Sequence, residues 1–140
     1  MTTARQVFVD TAAWIALVSK RDALYPAAQK VMSQLHSQRA QLTTTEFVLV
    51  EVANALSTPD ARLQAVKLIN GLRQLPTVRT IPASPELFED GLALYRNRPD
   101  KEWSLTDCIS FVVMQRDDIT QAFTSDHHFE QAGFTKLLIA

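Results

Sequence analysis

The sequence predicts a three-layer α/β/α domain with a mainly parallel central sheet. Three observations carry that prediction. Short apolar runs alternate with helical stretches along the chain, the pattern of βα units rather than of hairpins. The first run, Val7-Phe8-Val9, is apolar at every position, as suits a strand covered on both faces. Two helical stretches, residues 47–56 and 105–114, are apolar on nearly every face, so they belong inside the molecule.

A chain of 140 residues holds one domain. Its apolar fraction of 46% is that of a globular protein with a real core. The net charge of −1 excludes binding of polyanions by bulk charge. A nucleic-acid partner would be held by local Lys and Arg patches or through metal ions. Cys108 is the single cysteine, so no intrachain disulfide is possible, which fits a reducing compartment. Its apolar setting makes it a packed thiol rather than a nucleophile. Residues 1–6 lack the apolar core of a signal peptide. No apolar run approaches the roughly 18 residues that span a bilayer. The expectation is a cytoplasmic protein without a membrane partner.

Taken in order, the first strand stops at Asp10, and Thr11 can N-cap a helix over residues 12–17. Tyr25-Pro26 opens a second helix with proline in its first turn. Ala27, Val31 and Leu35 line its inner face, and it ends near residues 36–39. Residues 41–43 are a short second strand. Thr43 and Glu46 have capping-box spacing for the apolar helix that follows. Asp60 or its neighbours cap another amphipathic helix. Val78 and Ile81 flank a short extended piece. Ser84-Pro85-Glu86 and Ser104-Leu105-Thr106-Asp107 start two further helices. Residues 122–124 are a strand closed by Ser125-Asp126, a short helix ends at Gly133, and residues 135–139 form a last strand.

Four acids stand out by context. Asp10 and Asp126 follow strands; Glu51 and Asp107 lie within largely apolar helices. A carboxylate inside such a helix is expensive unless it is paired, bound to a metal or faces a wet cleft. Asn54 adds a polar group one turn beyond Glu51. Asp10 and Asp107 also suit helix N-termini, where negative charge is favoured. Ionised carboxylates gathered in one crevice repel one another unless they share a proton or a hard cation. Oxygen-only ligation suits Mg2+ or Mn2+, and such a site can activate water and neutralise a phosphodiester. No glycine-rich phosphate loop is present. Adjacent His127-His128 lacks the spacing that puts two ligands on one helix face, which argues against zinc.

Four pieces, in this order, resemble the PIN domain, in particular the small VapC-type toxins of toxin–antitoxin pairs. They are Val7-Phe8-Val9-Asp10-Thr11, Val50-Glu51-Val52-Ala53-Asn54-Ala55-Leu56, Ser104-Leu105-Thr106-Asp107-Cys108 and Thr124-Ser125-Asp126-His127-His128-Phe129. The last piece runs on to Gly133-Phe134, so the resemblance covers essentially the whole of residues 1–140 as a single PIN-like domain. It implies a metal-dependent endoribonuclease in which Asp10, Glu51, Asp107 and the more variable fourth acid, Asp126, hold Mg2+ or Mn2+. Water activated there attacks phosphorus in line and leaves a 5′-phosphate and a 3′-hydroxyl. Thr11 and Thr106 match hydroxyl positions beside the acids. The resemblance further implies a homodimer and an antitoxin partner. Tyr25 departs from it, near where many relatives carry histidine. Lys20, Arg21, Arg98 and Lys101 are candidate RNA contacts, although charged loops are usually only solvated.

Two rival enzymes fail on single residues. A haloacid-dehalogenase-type phosphatase needs an acid at position 12, which is Ala12, and a phosphorelay receiver needs an acidic pair where Asp10 stands alone. The remaining alternative is a non-catalytic PIN-fold module that binds RNA or protein.

Overall fold

The computed structural model describes residues 4–139; residues 1–3, part of the N-terminal segment read above, lie outside it. In order, the described chain forms β1 (Gln6–Val9), α1 (Thr11–Val18), α2 (Tyr25–Ser37), β2 (Gln41–Thr45), α3 (Glu46–Ala55) and α4 (Pro59–Arg73). It continues through β3 (Val78–Ile81), α5 (Pro85–Asn97), α6 (Leu105–Arg116), β4 (Gln121–Phe123), α7 (His127–Gln131) and β5 (Thr135–Lys136). The five strands make one sheet in the order β3-β2-β1-β4-β5, and every pairing is parallel.

Successive residues of a strand point to opposite faces. Val7, Phe8 and Val9 are all fully buried, so helices cover β1 on both sides, as its unbroken apolar run predicts. The chain winds outward from β1 through β2 to β3, then crosses back to β4 on the other side. The connections leaving β1 and β4 therefore diverge, and a crevice opens beyond the carboxyl ends of these two strands. Register sets what lines it. Val9 pairs with Phe123, so the next residues, Asp10 and Thr124, emerge side by side.

Aromatic packing fixes the floor under this crevice. Phe111 of α6 stands edge-on to Phe129 of α7, with ring centroids 4.9 Å apart, and Trp103 stands edge-on to Phe111 at 5.1 Å. Such geometry adds to burial through the ring quadrupoles. Helices α5 and α6 approach so closely at Gly91 that a Cβ there would meet Ile109 Cγ1 at 2.2 Å. Beyond α7, Gly133 turns the chain at φ +97°, a conformation that suits glycine.

Several helix starts differ from the sequence reading. The strand β2 runs on through Thr45, which pairs with Ile81 of β3. Thr43 is thus held in the sheet, and Thr45 instead caps α3, accepting from the Val48 N–H at 3.1 Å. Glu46 is freed from the predicted capping box and accepts from the Ala83 N–H. Thr58 takes the N-cap position of α4, with Pro59 as its first residue and Asp60 in its first turn. At the other end β5 stops at Lys136. Leu137 and Leu138 still donate backbone hydrogen bonds to Ala122 and Thr124.

Candidate active site

Each of the four acids reaches the crevice from a different element. Asp10 occupies the N-cap position of α1 but makes no side-chain cap. It is 4% exposed. Its Oδ2 accepts from the Thr124 hydroxyl at 3.1 Å, and its Oδ1 is buried with no hydrogen-bond partner. Thr11 does not cap the helix either. It is the first residue of α1, and its hydroxyl donates to Glu51 Oε1 at 2.5 Å, tying α1 to α3. Asp107 lies in the first turn of α6, as expected, and there forms a capping box that the sequence reading did not include: Ser104 Oγ accepts from the Asp107 N–H, and Asp107 Oδ2 accepts from the Ser104 N–H. The same Oδ2 lies 3.1 Å from His128 Nδ1. Asp126 caps α7, its Oδ1 accepting from the His128 N–H at 2.9 Å. Its own N–H donates to Thr124 Oγ1.

A pattern runs through these bonds. Among the described residues each acid has one oxygen engaged, Oδ2 of Asp10 and Asp107, Oε1 of Glu51 and Oδ1 of Asp126. The second oxygen of each takes part in none of them. Capping and site-building are therefore not alternatives for Asp107 and Asp126: the cap uses one oxygen and leaves the other.

The electrostatics show the cost of this arrangement. Burial pushes the Asp10 carboxyl up from 3.8 to about 7, and the negative charges of Asp107 and Glu51 push the same way against the Thr11 N–H and the Thr124 hydroxyl. Burial also raises Asp107, with Asp126 adding to the rise, while the Ser104 N–H and His128 oppose it. Cys108, next to Asp107, is raised to about 11 by burial. It is the packed, unreactive thiol that its setting predicted.

Thr124, Ser104 and His128 are the site residues that the sequence did not mark. Thr124 serves two acids at once from a fully buried position. His128 sits against Asp107 and Asp126, and ligand atoms of Asp126, His127 and His128 lie within 4.8 Å of one another. Helix-face spacing does not forbid this, because Asp126 and His127 are at the very start of α7, where the chain has not yet settled into the helix. Two predicted supporters stand apart. Asn54 is exposed, and neither it nor the Thr106 hydroxyl joins the bonds among the acids. Of the candidate RNA contacts, Lys20 and Arg21 are exposed in the α1–α2 loop. Arg98 is paired through Nε and Nη2 with Asp100 and lies over the Trp103 ring, as does Lys101.

The donor set fits a hard divalent cation. The four acids offer oxygen only, each has one atom outside the bonds above, and Asp10 Oδ1 is buried without a hydrogen-bond partner, while the ligand atoms that lie within 4.8 Å of one another are those of Asp126, His127 and His128.

A five-stranded parallel sheet with acids gathered at its switch point is the architecture of the PIN domain. The PIN domain family model matches residues 7–135, and the chain belongs to that family. It is 28% identical, over 131 residues, to the 23S rRNA-specific endonuclease VapC20 of Mycobacterium tuberculosis, spanning 94% of this chain and 97% of the relative. The crystal structure of VapC20, a sarcin–ricin loop cleaving toxin, matches with a TM-score of 0.82 over 92% of this chain and 96% of that one, again at 28% identity. VapBC2 from Rickettsia felis, solved bound to a DNA fragment from their promoter, shares the fold at a TM-score of 0.64. Its identity is 12%, with 94% of this chain and 96% of that one covered. No helix among the described residues is long and apolar enough to cross a membrane.

Proposed function

We propose that this chain is a Mg2+- or Mn2+-dependent endoribonuclease and the toxin of a toxin–antitoxin pair. The observation that carries the reading is the buried, unpartnered Asp10 Oδ1 on a carboxyl that feels the charges of Asp107 and Glu51, with one oxygen of each of the four acids outside the bonds described. Asp10, Glu51, Asp107 and Asp126 would hold the cation through those oxygens. The bound ion supplies charge neutralisation of the phosphodiester and activation of the attacking water. The chain's own residues do the rest. Thr11, Thr124, Ser104 and His128 fix the opposite oxygens, so the cluster is pre-organised. The buried ends of β1 and β4 keep solvent from beneath it. Lys20 and Arg21, both exposed, are the cations we assign to the phosphates of the RNA.

The first test is cleavage of a panel of single-stranded and structured RNAs, with a sarcin–ricin loop hairpin among them on account of the VapC20 relative, in Mg2+ or Mn2+ against EDTA. Cleavage only with metal is the expected result. Metal binding without cleavage of any RNA would favour the non-catalytic binding module. Removing Lys20 or Arg21 should flatten the salt dependence of RNA binding by roughly one counterion each; an unchanged slope would route the RNA elsewhere.

For protein partners we propose an antitoxin and a second copy of the chain. An apolar groove of about 720 Å³ between α1, α2 and α4 includes Trp14, Leu17, Met32, Leu68 and Leu72, and Arg39 and Lys67 also line it. That chemistry suits an amphipathic helix with acids beside its apolar face. On α4, Leu63 and Val66 are exposed, and Val50 of α3 is exposed where it meets Ile69 and Arg73. This is the patch we assign to the homodimer. Sedimentation velocity separates the two assemblies. Lys67→Glu should weaken only the antitoxin complex, and a chain that sediments as a monomer at tens of micromolar would remove the dimer.

A further inference from the structure

We propose that His128 is a positioning residue that sets which oxygen Asp107 and Asp126 present to the crevice. The inference rests on the acid cluster being the metal site.

Two donors of one residue reach two acids. The His128 backbone N–H donates to Asp126 Oδ1 at 2.9 Å. Its ring Nδ1 lies 3.1 Å from Asp107 Oδ2 and 3.4 Å from Asp126 Oδ1. A metal-holding, ionised Asp107 only accepts, and the Nδ1–H tautomer of His128 is the one that matches it. Asp107 Oδ2 then has two donors, the Ser104 N–H and the imidazole. With those directions filled, Oδ1 is the atom left for a ligand. Asp126 is turned the same way, with Oδ2 left over. The ring is held for this task. Its side chain is only 19% exposed, it lies against the His127 ring, and the next residue, Phe129, is fully buried beneath Phe111.

The consequence is one-oxygen ligation by both acids. Mg2+ and Mn2+ accept that geometry readily, since they demand near-octahedral sites and keep several waters. Outer groups that orient metal-binding carboxylates typically contribute ten- to a hundredfold in metal affinity.

The test uses the position of the donor atom. Asparagine places an N–H where Nδ1 stands, glutamine places one where Nε2 stands, and leucine supplies neither. Mn2+ affinity of the purified chain, measured by titration calorimetry, is the first readout; the split between kcat and KM for RNA cleavage is the second. His128→Leu and His128→Gln should bind Mn2+ about tenfold more weakly or worse and lose kcat with KM little changed. His128→Asn should recover most of both. Were His128 only a packing residue, folded His128→Gln would bind Mn2+ as wild type does, and the proposal would fall. Were it itself a metal ligand, His128→Asn would fail to rescue, which also overturns it. If His128→Leu does not fold, the Asn and Gln pair decides alone. Wild type that binds no Mn2+ would overturn the metal site and this inference together, whereas wild type and His128→Gln binding equally would overturn the inference only.

Discussion

Asp10→Asn is expected to abolish cleavage and, in the absence of metal, to make the protein more stable. The loss of activity should exceed the roughly ten- to hundredfold cost of removing a mere outer partner, because Asp10 Oδ1 is a buried carboxylate atom with no hydrogen-bond partner. Asparagine keeps an oxygen for the Thr124 hydroxyl, so the local bond at Oδ2 survives. What it removes is a charge that the folded protein buries at a cost.

The stability gain has a defined pH dependence. The Asp10 carboxyl rises from 3.8 to about 7 on folding, so the native state binds a proton that the unfolded state has already released over that range. Stability therefore falls as pH rises from about 4 to about 7. A shift of about three units corresponds to about 4 kcal/mol at most, and relaxation of the site reduces it. The stability of Asp10→Asn minus that of wild type, measured by chemical denaturation in EDTA, should grow across this window and level off above it. Millimolar Mg2+ should stabilise wild type at pH 8 by linkage and leave the variant unmoved. A difference that is flat from pH 4 to 8 would mean that Asp10 is no strained charge.

Which parts of this were legible in the sequence follows from the range of each interaction. Asp10 was marked because an unbroken apolar strand ends on it, a signal written in four consecutive residues. The parallel sheet was legible for the same reason, since Val7, Phe8 and Val9 leave no polar face for solvent. The helix starts were less so. Thr43 and Thr45 are both plausible caps, and the choice is made by pairing with β3, more than thirty residues away. The bonds that hold the acids are more remote still. Thr11 meets Glu51 across 40 positions, and Thr124 meets Asp10 across 114. No periodicity encodes such a meeting. The helix-face rule was applied to His127 and His128 as zinc ligands, and it carries no information on the contact of His128 with Asp107, 21 positions away. Asn54 was favoured by the same kind of rule one turn beyond Glu51, and it faces solvent.

Thr124→Val should damage both stability and cleavage, although it removes no charge and hardly changes shape. Thr124 is fully buried. Its hydroxyl donates to Asp10 Oδ2 and accepts from the Asp126 N–H, each at 3.1 Å. Valine leaves a carboxylate oxygen and a backbone donor without partners, and each unsatisfied group costs about 1–3 kcal/mol. The Thr124 hydroxyl also holds the Asp10 carboxyl down against burial, so its loss should move the pH inflection of metal-free stability upward. Cleavage should fall about ten- to a hundredfold as Asp10 and Asp126 lose their common anchor. Thr124→Ser keeps the hydroxyl and gives up only a buried methyl, so it should retain Mn2+ affinity while losing about 1 kcal/mol of stability. Denaturation in EDTA, Mn2+ calorimetry and cleavage rates on the two variants separate packing from bonding. If valine binds Mn2+ and cuts RNA as wild type does, the acids hold their geometry without the hydroxyl, and the crevice is organised by the backbone alone.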